Sequence, residues 1–265
     1  MTTPSSPWQG GEAYERYVGR WSRQVALDFL AWLAIAPERR WLDIGCGTGA
    51  LTTAILAIAQ PSAVVGVDPS DGFLALAREQ VTEPRAAFLS GDATAIPLDS
   101  ASVDAVVGGL MLNFVPRPAE GVAEMARVVR PDGTVAAYVW DYADGMRFMR
   151  YFWEAVTALD PAAAERDEGK RFDSVCSSSG LSHLWTSAGL RRVETRSIEI
   201  ATHFRDFDDY WTPFLGGQGV GPAYVVSLDP DHREALCVRL RETLPTEPDG
   251  AIHLTARAWA VRGTR

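Results

Sequence analysis

The feature that most constrains the fold is an alternation of short β-branched runs with helical patterns along the first half of the chain. Strands are predicted over five segments: 41–44, 63–67, 86–89, 103–107 and 134–140. Helices are predicted over 49–60, with Leu51, Ile55 and Ile58 inward, and then from Ser70 and after Pro118. Such alternation is typical of a parallel sheet whose strands are joined by right-handed crossovers.

The remainder of the chain predicts elements that close this sheet and elements that lie outside it. Two segments, 190–201 and 251–261, alternate with period two and are expected to be strands. Between them lies a Gly-rich loop at 215–221, where Pro222 is expected to prevent a helix from starting. The Pro131-Asp132-Gly133 tripeptide predicts a turn before the strand at 134–140.

These patterns divide the chain into consecutive segments. The amino-terminal helix is predicted from aromatic and aliphatic residues at three- and four-residue steps, among them Val18, Trp21 and Phe29. The predicted organisation is a disordered lead (1–11), a helical lid or brace (12–38), a ligand-binding core (39–140), a helical cap (141–189), and closing strands (190–265) with an inserted cap (202–248).

Composition excludes several classes of function. With 34 acidic against 25 basic side chains, the net charge of −9 disfavours nucleic acid as a partner. No stretch approaches the ~20 apolar residues of a membrane span, and the start lacks the pattern of a signal peptide. The three cysteines, Cys46, Cys176 and Cys237, lie far apart without metal-ligand spacing, so we predict no metal site and a cytoplasmic setting.

A glycine-rich loop, Asp43 to Gly49, directly follows the first predicted strand. Its glycines allow a sharp turn and let a ligand lie against the backbone, while the next helix presents free N–H groups. The same residues, Gly45, Gly47 and Ala50, also satisfy the looser GxGxxG/A pattern of dinucleotide enzymes. The loop alone therefore leaves a nicotinamide cofactor open.

Two acids at successive strand ends extend this site. Asp68 ends the second strand, where a carboxylate accepts hydrogen bonds from ribose hydroxyls, as it also does in NAD enzymes. Asp92, with Ala93 beside it, follows the third strand and is expected near the exocyclic amine of an adenine. Together the three strand ends indicate one extended nucleoside ligand.

These residues resemble the class I S-adenosylmethionine-dependent methyltransferases of the ubiquinone/menaquinone-biosynthesis-like type (methyltransferase type 11). The resemblance runs from Arg39 to Trp140 and is carried by four segments: Trp41-Leu42-Asp43-Ile44-Gly45-Cys46-Gly47-Thr48-Gly49, Val67-Asp68-Pro69-Ser70, Gly91-Asp92-Ala93 and Val103-Asp104-Ala105-Val106. It implies an α/β, Rossmann-like, doubly wound seven-stranded sheet whose last strand is antiparallel, with helical cap elements.

The resemblance also implies a set of residues that bind S-adenosylmethionine. Those in the core are Gly45, Cys46, Gly47, Gly49, Asp68, Pro69, Ser70, Asp92, Ala93, Gly109 and Leu110. Relatives use an amino-terminal helix as a lid, from which Tyr17 or Arg20 would reach the cofactor carboxylate; simple bracing is the alternative. The implied reaction is in-line methyl transfer that leaves S-adenosylhomocysteine.

The acceptor is expected to be a small apolar or aromatic metabolite. This expectation rests on an aromatic set predicted to wall its pocket, Phe148, Trp153, Tyr210, Trp211 and Phe214.

No catalytic residue is identified from the sequence. Asn113-Phe114 replaces a histidine pair found in relatives, so no role transfers from those histidines. Tyr142 and His203 are the remaining candidates. Two alternatives stay open here: an NAD(P)-dependent oxidoreductase and a non-catalytic S-adenosylmethionine-binding module.

Overall fold

The computed structural model describes residues 19–172, 174–217 and 219–265. The predicted disordered lead (1–11), and Tyr17 and Val18 of the predicted amino-terminal helix, lie outside these residues. Within them, seven strands form one mixed sheet in the order β3-β2-β1-β4-β5-β7-β6, flanked by helices. The predicted Rossmann-like fold is confirmed.

The strands follow the predicted order, with small shifts at their ends. Their bounds are β1 Arg40–Ile44, β2 Ala63–Asp68, β3 Ala86–Ser90, β4 Val103–Gly109, β5 Val129–Trp140, β6 Arg191–Phe204 and β7 Ile252–Thr264. Strand β1 pairs in parallel with both β2 and β4, whereas β5 pairs with β7 in antiparallel register. The carboxyl ends of β1, β2, β3 and β4 therefore meet at one edge of the sheet, where the predicted ligand residues lie.

Helices connect and follow these strands. Their bounds are α1 Arg20–Leu33, α2 Ala50–Ile58, α3 Asp71–Gln80, α4 Pro118–Val128, α5 Arg147–Leu159, α6 Glu168–Arg171, α7 Ser178–Ser187, α8 Phe207–Trp211, α9 Val220–Ser227 and α10 Pro230–Thr243. Short 3-10 turns occur at Leu112–Phe114, Pro161–Arg166 and Thr212–Gly216. None of the helices within the described ranges is long and apolar enough to cross a bilayer.

The chain forms two compact units. The sheet unit comprises 23–140, 174–198 and 258–265, and its centre is filled by residues such as Trp41, Val106 and Trp185. The helical unit comprises 141–173 and 199–257, together with the described residues 19–22. Its interior is mostly aromatic, with Phe152 stacked on Phe214 at 4.3 Å between ring centroids. Strands β6 and β7 run through both units.

Three local predictions are corrected or refined. Ile58, predicted to face inward, is the last residue of α2 and is 48 % exposed, because periodicity does not reveal where the covered surface stops. Pro222 does not prevent a helix: it lies in the first turn of α9, where the missing N–H has no helical partner to lose. The turn at 131–133 occurs as an irregularity within β5, because Val103 pairs with Val129 but Ala105 pairs with Thr134.

Candidate cofactor site

The three glycines of the loop after β1 all adopt left-handed backbone, with φ of 68° at Gly45, 53° at Gly47 and 88° at Gly49. A Cβ on Gly45 would lie 2.6 Å from the Met111 Cβ, and one on Gly49 would lie 3.0 Å from Val81 Cγ2. A Cβ on Gly47 would meet nothing within 4 Å. Gly45 and Gly49 therefore allow packing within the protein, whereas Gly47 borders open space.

Asp68, at the end of β2, fixes this loop. Its Oδ2 accepts a hydrogen bond from the Gly47 backbone N–H at 2.9 Å, and its Oδ1 accepts one from the Ser70 N–H at 2.9 Å. The side chain is largely buried, and burial raises the pKa of the carboxyl while the two backbone hydrogen bonds oppose that rise. Each oxygen retains a second lone pair, so the predicted ribose contact is compatible with this positioning role.

Pro69 and Ser70 lead from β2 into α3. Ser70 is the N-cap of the helix, and its Oγ accepts a hydrogen bond from the Phe73 N–H at 3.3 Å. Pro69 is exposed. Ser70 thus has a structural role that the sequence pattern alone did not distinguish from ligand contact.

Cys46 is a core residue. Its side chain packs with Leu74, Ala77 and Phe88 beneath the loop, and burial raises the pKa of the thiol well above its usual range. Its backbone N–H donates to the Val67 carbonyl at 3.1 Å. Any ligand contact by Cys46 would therefore come from its backbone.

Asp43, the fourth residue of β1, is a further candidate site residue, which the predicted set of cofactor residues omits. It is fully buried, and its Oδ2 accepts a hydrogen bond from the Thr52 hydroxyl at 2.7 Å. Its Oδ1 is buried without a hydrogen-bond donor in the part of the chain that the structure describes. Burial raises the pKa of this carboxyl to about 7. The acid two residues before the first loop glycine is the sequence signal that identifies it.

Asp92 follows β3 and is exposed. Its Oδ1 accepts hydrogen bonds from the Thr94 backbone N–H at 2.7 Å and from the Thr94 hydroxyl at 2.6 Å. These bonds lower the pKa of Asp92, so the group is an ionised acceptor near neutral pH. Ala93 beside it is buried.

The end of β4 is tightly packed. A Cβ on Gly109 would lie 2.6 Å from the Tyr138 hydroxyl oxygen. Leu110 has a left-handed φ of 57°, and its N–H donates to the Tyr138 carbonyl at 2.8 Å. Tyr138 therefore holds the backbone that is predicted to lie beside the sulfonium end of the cofactor.

Beyond this point the chain forms the 3-10 turn at Leu112–Phe114. The Nδ2 of Asn113 is buried and finds no acceptor among the described residues, while the Phe114 ring is 43 % exposed. The turn thus combines a buried donor with an accessible aromatic surface.

Arg20 belongs to the helical unit, whereas the other predicted cofactor residues belong to the sheet unit. Its Nη1 donates to Asp209 Oδ1 at 3.0 Å, and its guanidinium carbon lies 4.4 Å from the Trp21 ring centroid and 4.7 Å from that of Phe204. Its Nε and Nη2 are buried and have no acceptor within the described ranges. That edge of a guanidinium is the one that binds a carboxylate through two parallel bonds.

The two catalytic candidates occupy different environments in the helical unit. Tyr142 is buried, with its ring centroid 5.4 Å from that of Phe172. His203 is exposed on β6 next to His253. Neither environment identifies Tyr142 or His203 as a general base.

The aromatic set predicted to wall an acceptor pocket is instead the interior of the helical unit. Phe148, Trp153, Tyr210, Trp211 and Phe214 are each at most 9 % exposed and pack against one another or against neighbouring rings. Tyr210 further donates its hydroxyl to the Phe148 carbonyl at 2.7 Å. Periodic aromatic residues fill a core here, as they more often do than line a binding site.

The amino-acid sequence is similar to those of known methyltransferases. Residues 42–137 match a family described as a methyltransferase domain. The chain is 41 % identical over 132 residues to an uncharacterized methyltransferase of Mycobacterium tuberculosis, covering 50 % of each protein. It is 31 % identical over 152 residues to a demethylmenaquinone methyltransferase of Renibacterium salmoninarum, covering 56 % of this chain and 59 % of that one. The chain thus spans about half the length of the curated relatives it matches.

Solved structures share the fold at low sequence identity. A phosphoethanolamine N-methyltransferase of Haemonchus contortus in complex with S-adenosyl-L-methionine matches with a TM-score of 0.60 at 16 % identity, covering 96 % of this chain and 56 % of that one. The YcgJ protein of Bacillus subtilis matches with a TM-score of 0.58 at 16 % identity, covering 91 % and 98 %.

Proposed function

The chain carries a class I S-adenosylmethionine-dependent methyltransferase domain, and from this premise we propose that the protein transfers the methyl group of S-adenosylmethionine to a small apolar or aromatic acceptor. The observation that carries the proposal is the open space at Gly47 within a loop held by Asp68. A loop of left-handed glycines with no packing partner at Gly47 is suited to a ligand that lies on the backbone.

Three acidic side chains of the sheet unit complement this cofactor. The buried Asp43 Oδ1 needs a donor, and the cofactor's ammonium group is one. The ionised Asp92 suits the exocyclic amine of adenine, and the second lone pairs of Asp68 suit the ribose hydroxyls. We further propose that the free edge of the Arg20 guanidinium binds the cofactor's carboxylate.

Catalysis would consist mainly of positioning. When bound, S-adenosylmethionine would supply an electrophilic methyl group: the acceptor's nucleophile would bond to the methyl carbon in line as the methyl–sulfur bond breaks, leaving the electron pair on the sulfur of S-adenosylhomocysteine and any acceptor proton to solvent. The chain's residues hold the reacting groups in place: Asp68 fixes the loop at Gly47, and Tyr138 fixes the backbone at Leu110. Orientation of this kind lowers the barrier without a dedicated base.

The class of acceptor rests on separate observations. Phe114 exposes an aromatic ring after β4, and the buried Nδ2 of Asn113 requires an acceptor atom. An apolar or aromatic molecule could pack against the Phe114 ring, and an oxygen atom on that molecule could accept a hydrogen bond from Asn113. The net charge of −9 disfavours nucleic acid, and one group of relatives is named for a quinone acceptor. A cytoplasmic setting is part of the proposal, because Cys46, Cys176 and Cys237 lie far apart in the sequence and show no disulfide spacing pattern.

Two measurements test the proposal. Titration calorimetry of the full chain with S-adenosylhomocysteine and with NADH should show binding of the former alone; tight NADH binding alone would refute the cofactor assignment. Incubation of small-molecule extracts with methyl-labelled S-adenosylmethionine should then yield a labelled apolar product. Cofactor binding without any label transfer across broad extracts would refute the enzymatic part and support a binding module.

Replacing Arg20 tests its proposed contact with the cofactor carboxylate. Arg20→Ala should weaken S-adenosylhomocysteine binding, whereas Arg23→Ala, at an exposed position of the same helix, should not. Unchanged affinity in Arg20→Ala would leave Arg20 a brace for the helical unit.

A further inference from the structure

A pair of histidines lies on the surface of the helical unit, and neither is among the residues predicted to bind the cofactor. His203 on β6 and His253 on β7 sit on neighbouring strands, and both are exposed. Their Nδ1 atoms lie 2.9 Å apart, and their ring centroids are separated by 4.4 Å with an interplanar angle of 34°. Two imidazole nitrogens on the rigid frame of paired strands form a preorganised chelate.

We propose that His203 and His253 bind a divalent transition-metal ion through their Nδ1 atoms. Metal–imidazole bonds are about 2.0–2.1 Å long, so two nitrogens 2.9 Å apart would enclose an angle of about 90° at the metal. That angle is the one between adjacent ligands of a square-planar or octahedral ion, whereas a tetrahedral ion would need the nitrogens about 3.3 Å apart. The geometry therefore favours Cu²⁺, and next Ni²⁺, over Zn²⁺.

Metal binding by this pair requires a change of tautomer in one of the two rings. In the metal-free protein the 2.9 Å contact requires one Nδ1–H to donate to the other Nδ1. On metal binding that ring shifts its proton from Nδ1 to Nε2 through water, so both Nδ1 lone pairs face the metal and no proton is lost from the neutral pair. Because both rings are exposed, each Nε2–H can donate to water, and water completes the coordination sphere.

The environment of this pair differs from that of the other histidines in the chain. Only four histidines are present in the sequence, and the other two are His183 on α7 and His232 on α10. His232 contacts the carboxylate of Asp229 rather than another imidazole. Among the described residues no group of three or more potential ligands occurs, so the pair would supply two protein ligands and no more.

The experiment uses the full chain freed of any polyhistidine tag. Titration calorimetry and electron paramagnetic resonance with Cu²⁺ should show one site per chain with nitrogen ligation, and Ni²⁺ should bind more tightly than Zn²⁺. His203→Thr and His253→Thr should each weaken Cu²⁺ binding by tenfold or more, because a single imidazole remains, while His183→Gln should leave it unchanged. Threonine suits a strand, and circular dichroism should confirm that both variants fold.

Binding that persists equally in both threonine variants would overturn the proposal, as would equal loss in His183→Gln. Zn²⁺ binding more tightly than Ni²⁺ would contradict the proposed angle of about 90° between the two nitrogen ligands. A second readout is thermal unfolding: saturating Cu²⁺ should raise the Tm of the native chain and of His183→Gln by a few degrees and leave that of His203→Thr unchanged. None of these measurements depends on methyl transfer.

Discussion

Gly47 and Gly189 form a matched pair that separates backbone strain from ligand contact. Both have left-handed φ, 53° and 78°, and a Cβ on either would meet nothing within 4 Å. Replacement by alanine should therefore cost each a similar strain of about 1 kcal/mol in the free energy of unfolding. Only Gly47 lies in the candidate cofactor site.

We expect Gly47→Ala to lower the affinity for S-adenosylhomocysteine by about tenfold or more, because the new methyl group occupies the space assigned to the ligand. Gly189→Ala should bind as the native chain does. Calorimetric titration of both variants provides the measurement, and denaturant unfolding shows that their stabilities match. Equal affinities in the two variants would show that Gly47 does not border the ligand.

Asn113 provides a second test at the level of one side chain. A buried donor without an acceptor destabilises a protein by about 1–3 kcal/mol, and the Nδ2 of Asn113 is such a donor among the described residues. Asn113→Leu, of similar size, should therefore raise the free energy of unfolding by about 1–2 kcal/mol while methyl transfer falls. An Asn113→Leu variant that keeps the full rate of methyl transfer would contradict an acceptor-binding role for Asn113. Asn113→Asp is the companion variant, because it retains the shape of the side chain without the donor.

At the level of elements, the sequence is informative wherever a signal is local. The alternation of strands and helices and the loop of Asp43 to Gly49 lie within short windows, so their positions are predicted to within a few residues. Contacts between distant residues leave no such signal: the packing of Met111 against Gly45 and of Tyr138 against Gly109 appears only in the fold. For the same reason an aromatic stripe such as that of Phe148 and Phe214 does not reveal whether it lines a pocket or fills a core.

The start of α3 shows how one residue serves an element. Ser70 accepts a hydrogen bond from the Phe73 N–H, which would otherwise lack a partner in the first helical turn. Ser70→Ala should lower the free energy of unfolding by about 1 kcal/mol, and Ser70→Asp should restore most of it. Urea denaturation of the three proteins gives the comparison. If Ser70→Ala left the free energy of unfolding unchanged but weakened cofactor binding, Ser70 would bind the ligand and contribute little as a helix cap.

Across the whole molecule, each compact unit contains a buried acid whose pKa is raised. In the sheet unit, burial raises the pKa of Asp43 to about 7, with the Thr52 hydrogen bond opposing. In the helical unit, burial raises the pKa of Glu168 to about 7 although its Oε2 accepts a hydrogen bond from Trp153 Nε1 at 2.6 Å. Both groups are therefore easier to ionise in the unfolded chain than in the folded one.

Because a raised pKa stabilises the fold only while the acid is protonated, the contribution of these two acids to stability should be greatest below the usual carboxyl pKa of about 4 and should be lost as the pH rises through about 7. Glu168→Gln keeps an acceptor for Trp153 but cannot ionise. We therefore expect the variant to match the native chain near pH 4.5 and to exceed its free energy of unfolding by up to about 3 kcal/mol above pH 8. Guanidinium unfolding across this range measures the difference, with Glu165→Gln, which carries none of these contacts, as the control. A difference that stays constant with pH would show that Glu168 ionises alike in the folded and unfolded chains.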